Sequence, residues 1–180
     1  LTGMNTSPTG LVAEQAVDKE LKIVDERAFD VGTLELLICS NEGLASAITD
    51  LRAKAPGLPL VLAGFSQGAC LSLEYAMTFG PWNGAMVNLT GCRVGQATDQ
   101  RPARDLDGMP VYLTGSDQDP WIPVSAFAEA SEALGRARAR LRCELFPGRT
   151  HQASEMEVAA VNAILQDLAE GSRPFRRVAA

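Results

Sequence analysis

Four short, mostly aliphatic runs recur between longer stretches of helical periodicity, and this alternation constrains the fold more than any other feature. The runs are Leu58–Gly64, Gly84–Leu89, Pro110–Thr114 and Arg140–Phe146. The first three are almost continuously apolar, as expected of strands covered on both faces. The fourth alternates, with Leu141, Cys143 and Leu145 on one side, which predicts a place nearer the sheet edge. Helices fit between the runs. Leu44, Ile48 and Leu51 recur at helical spacing after Asn41, which has the chemistry of an N-cap. Residues 67–79 and Val124–Leu134 give two more helices. A last one opens on Ser154-Glu155-Met156-Glu157, a capping-box pattern, and runs on through Val158, Val161, Ile164, Leu165 and Leu168. The expected architecture is α/β: a mostly parallel central sheet with helices on both faces.

The length of 180 residues suits one domain. We expect it to span residues 1–172, with Arg173–Ala180 as a loosely held tail. The region before Ser40 is the least legible. Leu11–Leu21 reads as a helix, and Lys22–Thr33 offers one weak strand, so the N-terminal side looks trimmed or short of a loop. The chain opens on Leu1 rather than Met, which leaves room for a preceding segment, a removed signal peptide included.

Charge narrows the partners. Sixteen basic against twenty-two acidic side chains leave a formal charge of −6, which disfavours nucleic acid and anionic lipid. Arg136, Arg138, Arg140 and Arg142 form the one basic cluster and read as a solvated helix end and strand edge. No apolar run approaches the roughly 18 residues of a membrane-spanning helix. Cys39, Cys70, Cys92 and Cys143 have no metal-type spacing and lie in apolar stretches, which predicts reduced core thiols and a cytoplasmic protein.

The chemistry-bearing residues stand at the ends of the predicted strands. The run Leu58–Ala63 leads directly into Gly64-Phe65-Ser66-Gln67-Gly68, and a helical stretch leaves it. A G-x-S-x-G turn between strand and helix presents a serine on a strained backbone, with small residues letting strand and helix approach. The helix N-terminus favours negative charge, and the Gln67 N–H is placed to donate to an oxyanion. His151 is the only histidine, so a serine–histidine mechanism has one base available. An imidazole, with an ordinary pKa of about 6.5, can take and return a proton near neutrality. His151 follows the last strand in the loop Pro147-Gly148-Arg149-Thr150-His151. The strand from Pro110 runs into Gly115-Ser116-Asp117-Gln118-Asp119-Pro120, which offers two carboxylates. Pro120 biases Asp119 to an extended conformation, so Asp119 is the preferred acid and Asp117 a turn former.

Three ordered motifs then resemble one family. Gly64-Phe65-Ser66-Gln67-Gly68-Ala69, Gly115 through Pro123 and Pro147 through His151 are similar to the G-F-S-Q-G, G-x-x-D-P-x-V-P and P-G-x-x-H motifs of the phospholipase/carboxylesterase family. That family includes acyl-protein thioesterases and small bacterial carboxylesterases. The resemblance runs from Asn41 to about Gly171. It implies an α/β-hydrolase fold, with Ser66 as nucleophile, Asp119 as acid and His151 as base. The family's His-Gly-x-Gly turn has its nearest match in Leu1-Thr2-Gly3-Met4-Asn5, where Thr2 replaces the histidine and Asn5 the second glycine. On that match the Met4 N–H is the second oxyanion donor. The stretch from Gly3 to Ser66 is shorter than the family's, and Trp121 replaces a smaller residue. Trp121 and Phe65 are the candidate substrate contacts. No metal or cofactor is expected, the substrate is a small ester or thioester, and a homodimer is compatible with the sequence. An acyl transferase using the same three residues, and a hydrolase fold serving only as a binding protein, are the alternatives.

Overall fold

A computed structural model describes residues 34–96 and 98–175 of the chain, with side chains from Asn41 onward. The N-terminal helix and strand expected between Leu11 and Thr33 lie outside the described residues, as does Met4. Helix α1 spans Leu34–Lys54, strand β1 Leu60–Phe65, helix α2 Gln67–Phe79 and strand β2 Gly84–Leu89. Strand β3 follows at Pro110–Ser116, helix α3 at Val124–Arg136, strand β4 at Arg140–Phe146 and helix α4 at Glu155–Ala169. The strands form one sheet in the order β1-β2-β3-β4, parallel at every junction. Among the described residues, no helix is long and apolar enough to cross a membrane.

Alternation along the strands divides the core in two. Met86, Val111 and Leu113 face α2 and α3, where they pack with Leu73, Met77 and Leu134. Ala85, Val87 and Tyr112 point to the other face and meet Ala160 and Ile164 of α4. Helix α1 lies over α2, with Leu44 and Ile48 against Tyr75. Leu73, Leu113, Leu134 and Ile164 are almost wholly excluded from solvent, so truncating any of them to Ala would cost about 2–5 kcal/mol. The helices therefore cover both faces, as their amphipathic spacing predicts.

Several local expectations need correcting. Strand β1 starts two residues later than Leu58, which is 69% exposed, because Pro59 has no N–H to give the ladder. Leu60 opens the strand by donating to the Asn83 carbonyl at 2.8 Å. With β2 as its only strand neighbour among the described residues, Leu60–Ala63 is half-buried rather than covered on both faces. Asn41 is inside α1, not at its cap, because the helical backbone continues upstream to Leu34. Cys143 is exposed on β4, the edge strand among the described residues, and Cys70 and Cys92 are half-buried, so none of these three is a core thiol. Pro174 is buried, and Phe175 packs beside Tyr112 under the Arg142 guanidinium.

The basic cluster is solvated and locally paired, Arg136 with Glu132, Arg138 with Asp105 and Arg142 with Glu144. The Ser154 cap forms as its pattern predicts, with the Ser154 hydroxyl accepting from the Glu157 N–H and the Glu157 carboxylate accepting from the Ser154 N–H.

Candidate active site

All strands run parallel, so their C-terminal ends gather at one edge of the sheet, where an open α/β sheet places its ligands. Ser66 follows β1 directly, Asp119 lies in the loop after β3, and His151 in the loop after β4.

Ser66 occupies the single residue between β1 and α2, at φ 55° and ψ −121°. A non-glycine residue in this positive-φ conformation is strained and persists only where its surroundings enforce it. Here the Ser66 N–H donates to the Leu89 carbonyl at 3.0 Å, and its own carbonyl accepts from Cys70 at 3.0 Å. Gly64 makes the turn sterically feasible, because a Cβ there would collide with the Gly68 backbone. Gly91, after β2, is tight for a similar reason, since a Cβ would run into Ala69.

The Ser66 Oγ lies 2.9 Å from His151 Nε2, and His151 Nδ1 lies 2.8 Å from Asp119 Oδ2. The Asp119 side chain is fully enclosed, while His151 keeps 19% of its side-chain surface exposed. The other carboxylate oxygen of Asp119 accepts the N–H groups of Trp121 at 2.8 Å and Ile122 at 2.9 Å. Burial opposes ionisation of Asp119, but the hydrogen bonds from Ile122, His151 and Trp121 outweigh it and hold the carboxyl below its usual range. Asp117 is engaged elsewhere, with Oδ1 accepting the Gly148 N–H at 2.6 Å and closing the histidine loop onto the acid loop.

Phe65 is buried, and its ring meets the imidazole edge-on with centroids 4.9 Å apart, so its contact is with His151. Trp121 is 73% exposed, its N–H bound to Asp119 and its indole free of the described core. Gln67 is the first residue of α2, so its N–H belongs to the unpaired first turn of a helix. No group of His, Cys, Asp and Glu able to hold a metal occurs among the described residues.

Sequence reasoning missed the buried polar groups around these loops. Arg149, Glu157, Thr90, Thr114 and Ser116 are all buried. Glu157 was legible only as a capping residue, and Thr90, with φ 57°, gave no signal at all. A buried ion pair, Arg93 with Glu74 at 2.6 Å, ties the loop after β2 to α2. Cys70 and Cys92 bring their sulfurs within 3.7 Å of each other at the same junction.

A strained serine between a parallel strand and a helix, with histidine and aspartate delivered by the two following strand ends, defines an α/β-hydrolase fold. The model of the phospholipase/carboxylesterase family matches residues 50–169, two thirds of the sequence. The chain belongs to that family. Among solved structures it is similar to a phospholipase/carboxylesterase from Dyadobacter fermentans, at 31% identity over 73% of this chain and 65% of that one, with a TM-score of 0.67. It also resembles esterase PE8, at 22% identity, 75% and 63% coverage and a TM-score of 0.62. The Bacillus cereus carboxylesterase gives 20%, 73% and 62%, with a TM-score of 0.62. At these last two identities the likeness is one of fold. The chain spans just under two thirds of the length of each of the three.

Proposed function

We propose that this protein hydrolyses carboxylic esters or thioesters through an acyl-enzyme formed on Ser66. The observation that carries the reading is the continuous hydrogen-bonded line from Ser66 Oγ through both ring nitrogens of His151 to the enclosed carboxylate of Asp119. With Nδ1–H donated to Asp119, Nε2 is left as an acceptor facing the serine hydroxyl. As Oγ attacks the acyl carbon, Nε2 takes its proton, and Asp119 stabilises the imidazolium that forms. The tetrahedral oxyanion is met by the Gln67 N–H and, in our reading, by the Met4 N–H from outside the described residues. Collapse breaks the bond to the alcohol or thiol, which leaves with the proton from Nε2. Water then repeats the sequence on the acyl-enzyme and frees the acid. None of these steps calls for a metal or an organic cofactor.

Family membership supports the ester class, and the 31% identity to the Dyadobacter fermentans phospholipase/carboxylesterase points the same way. The thioester arm rests on the motif resemblance. The spacing and apolar setting of the cysteines in the sequence support the cytoplasm as the protein's compartment. A fluorophosphonate tests the reading. An activated serine reacts with it and an ordinary one does not, so intact mass followed by peptide mapping should put one adduct on Ser66. A folded protein that stays unlabelled, or labels elsewhere, refutes the assignment.

A further inference from the structure

Arg149 precedes His151 by two residues, and its guanidinium is buried against the carboxylate of Glu157, with Nη2 3.6 Å from Oε1. Side-chain exposure is 6% for Arg149 and 0% for Glu157. A buried ion pair is poor evidence of stabilisation, because desolvating two charges offsets most of their attraction. What this pair does hold is the histidine loop. Arg149 Nη1 donates to the carbonyls of Thr150 at 3.3 Å and of Gln152, the residues on either side of His151. Nη2 also donates to Thr90 Oγ1 at 2.9 Å, at the end of β2. The Arg149 carbonyl accepts the Ser116 hydroxyl, at the end of β3.

Glu157 anchors the other side. Its Oε1 accepts the Thr114 hydroxyl at 2.6 Å, and its Oε2 accepts the Ser154 N–H at 2.7 Å and hydroxyl at 2.8 Å. The ends of β2 and β3 also adjoin the other two site residues. Leu89, next to Thr90, accepts the Ser66 N–H, and Ser116 opens the loop that reaches Asp119. The ion pair therefore ties the loop that bears His151 to the end of β2, whose Leu89 holds the Ser66 N–H, and to β3, which leads to Asp119.

We propose that Arg149 and Glu157 act as one positioning unit that sets the imidazole of His151 against Ser66, for the reaction proposed above, on which this inference rests. Neither residue touches the reacting atoms. Their effect passes through the carbonyls flanking His151 and the ends of β2 and β3. A displacement of about 1 Å at a reacting group can cost roughly 100-fold in rate, so a loosened histidine loop should lower kcat and leave KM nearly unchanged.

The test removes both charges together. In the double variant Arg149→Met with Glu157→Gln, no charge is left buried and unpaired, and glutamine preserves the capping box. Folding should therefore persist, measured by circular dichroism and melting temperature. On p-nitrophenyl acetate, kcat per folded molecule should fall roughly 100-fold, with the fluorophosphonate labelling rate at Ser66 falling alongside. Arg149→Lys, a charge without the planar fork, should recover only part of that rate. Thr90→Val gives a second route that leaves the charges in place. It removes one acceptor of the guanidinium, and should lower kcat several-fold at unchanged KM. Wild-type kcat and labelling in a folded double variant or in Thr90→Val would overturn the proposal, as would losses that only track the unfolded fraction. A wild-type protein that does not label at Ser66 would overturn the triad reading as well.

Discussion

Replacing Asp119 with Asn changes one atom of the site and should abolish most turnover without unfolding the protein. The Asp119 oxygen Oδ1 holds two backbone donors, Trp121 N–H and Ile122 N–H, while Oδ2 faces His151 Nδ1 at 2.8 Å. An asparagine keeps its single carbonyl oxygen on the two backbone donors, because turning it would leave both of them facing an NH₂ group. The amide nitrogen then points at Nδ1, which must become an acceptor and pass its proton to Nε2. A protonated Nε2 cannot take the proton of Ser66, 2.9 Å away. The loss of the correct tautomer is worth roughly 10³–10⁴ in kcat, or about 4–5.5 kcal/mol of barrier at ~1.36 kcal/mol per decade. Stability should change by only about 1 kcal/mol, since both backbone bonds survive. Asp117→Asn is the matched control, because its oxygen can still accept the Gly148 N–H and it does not touch His151. Pre-steady-state release of p-nitrophenol from p-nitrophenyl acetate, with melting temperatures in parallel, reads both quantities. If Asp119→Asn keeps kcat within about tenfold of wild type while Asp117→Asn loses 10³ or more, the tautomer reasoning is wrong.

Two further outcomes follow from the same geometry. Trp121, 73% exposed beside Asp119, should narrow the acyl side of the cleft, and an apolar pocket discriminates by about 1–3 kcal/mol per methylene. Trp121→Ala should accordingly move the kcat/KM optimum toward longer chains on a C2 to C12 ester series, whereas an equal loss at every length would show a residue that only packs its loop. The depressed pKa of Asp119 makes its contribution to stability whole above the unfolded carboxylate pKa of about 3.9 and lost as pH falls through the lower folded value. The melting-temperature gap between wild type and Asp119→Asn should then shrink as pH is lowered from about 5 to about 3, and a gap that stays constant or widens would contradict the hydrogen-bonded ionised state.

Much of the architecture was legible because local patterns and global fold agree. The near-continuous apolar runs at Gly84–Leu89 and Pro110–Thr114 mark buried parallel strands, since no other short element is apolar on both faces. Glycines at 64 and 68 around Ser66 announce a tight turn, in which a Cβ on residue 64 would meet the Gly68 backbone, and Ser154 followed by Glu157 announces a helix start. These features depend on the chain within a few residues, so a linear reading reaches them. It misplaced the start of β1, where Pro59 ends the pairing that the apolar run suggested, and the cap of α1, where the helix runs on upstream of Asn41.

The relations between distant segments belong to the tertiary structure. Asp117 and Asp119 are two residues apart and chemically alike in sequence. Only the path of the loop after β3 turns one carboxylate to His151 and the other to the Gly148 N–H. Arg149 reads as one basic residue in an acidic protein until α4 carries Glu157 beneath the histidine loop and β2 supplies Thr90. A buried charge is tolerated only where partners from several elements converge on it, and those partners are 8 and 59 residues away along the chain. Sequence specifies which groups are available and what each strand end can present. The parallel sheet decides which of them meet, because it brings the ends of β1, β2, β3 and β4 to one edge, where desolvation makes every pairing among them count.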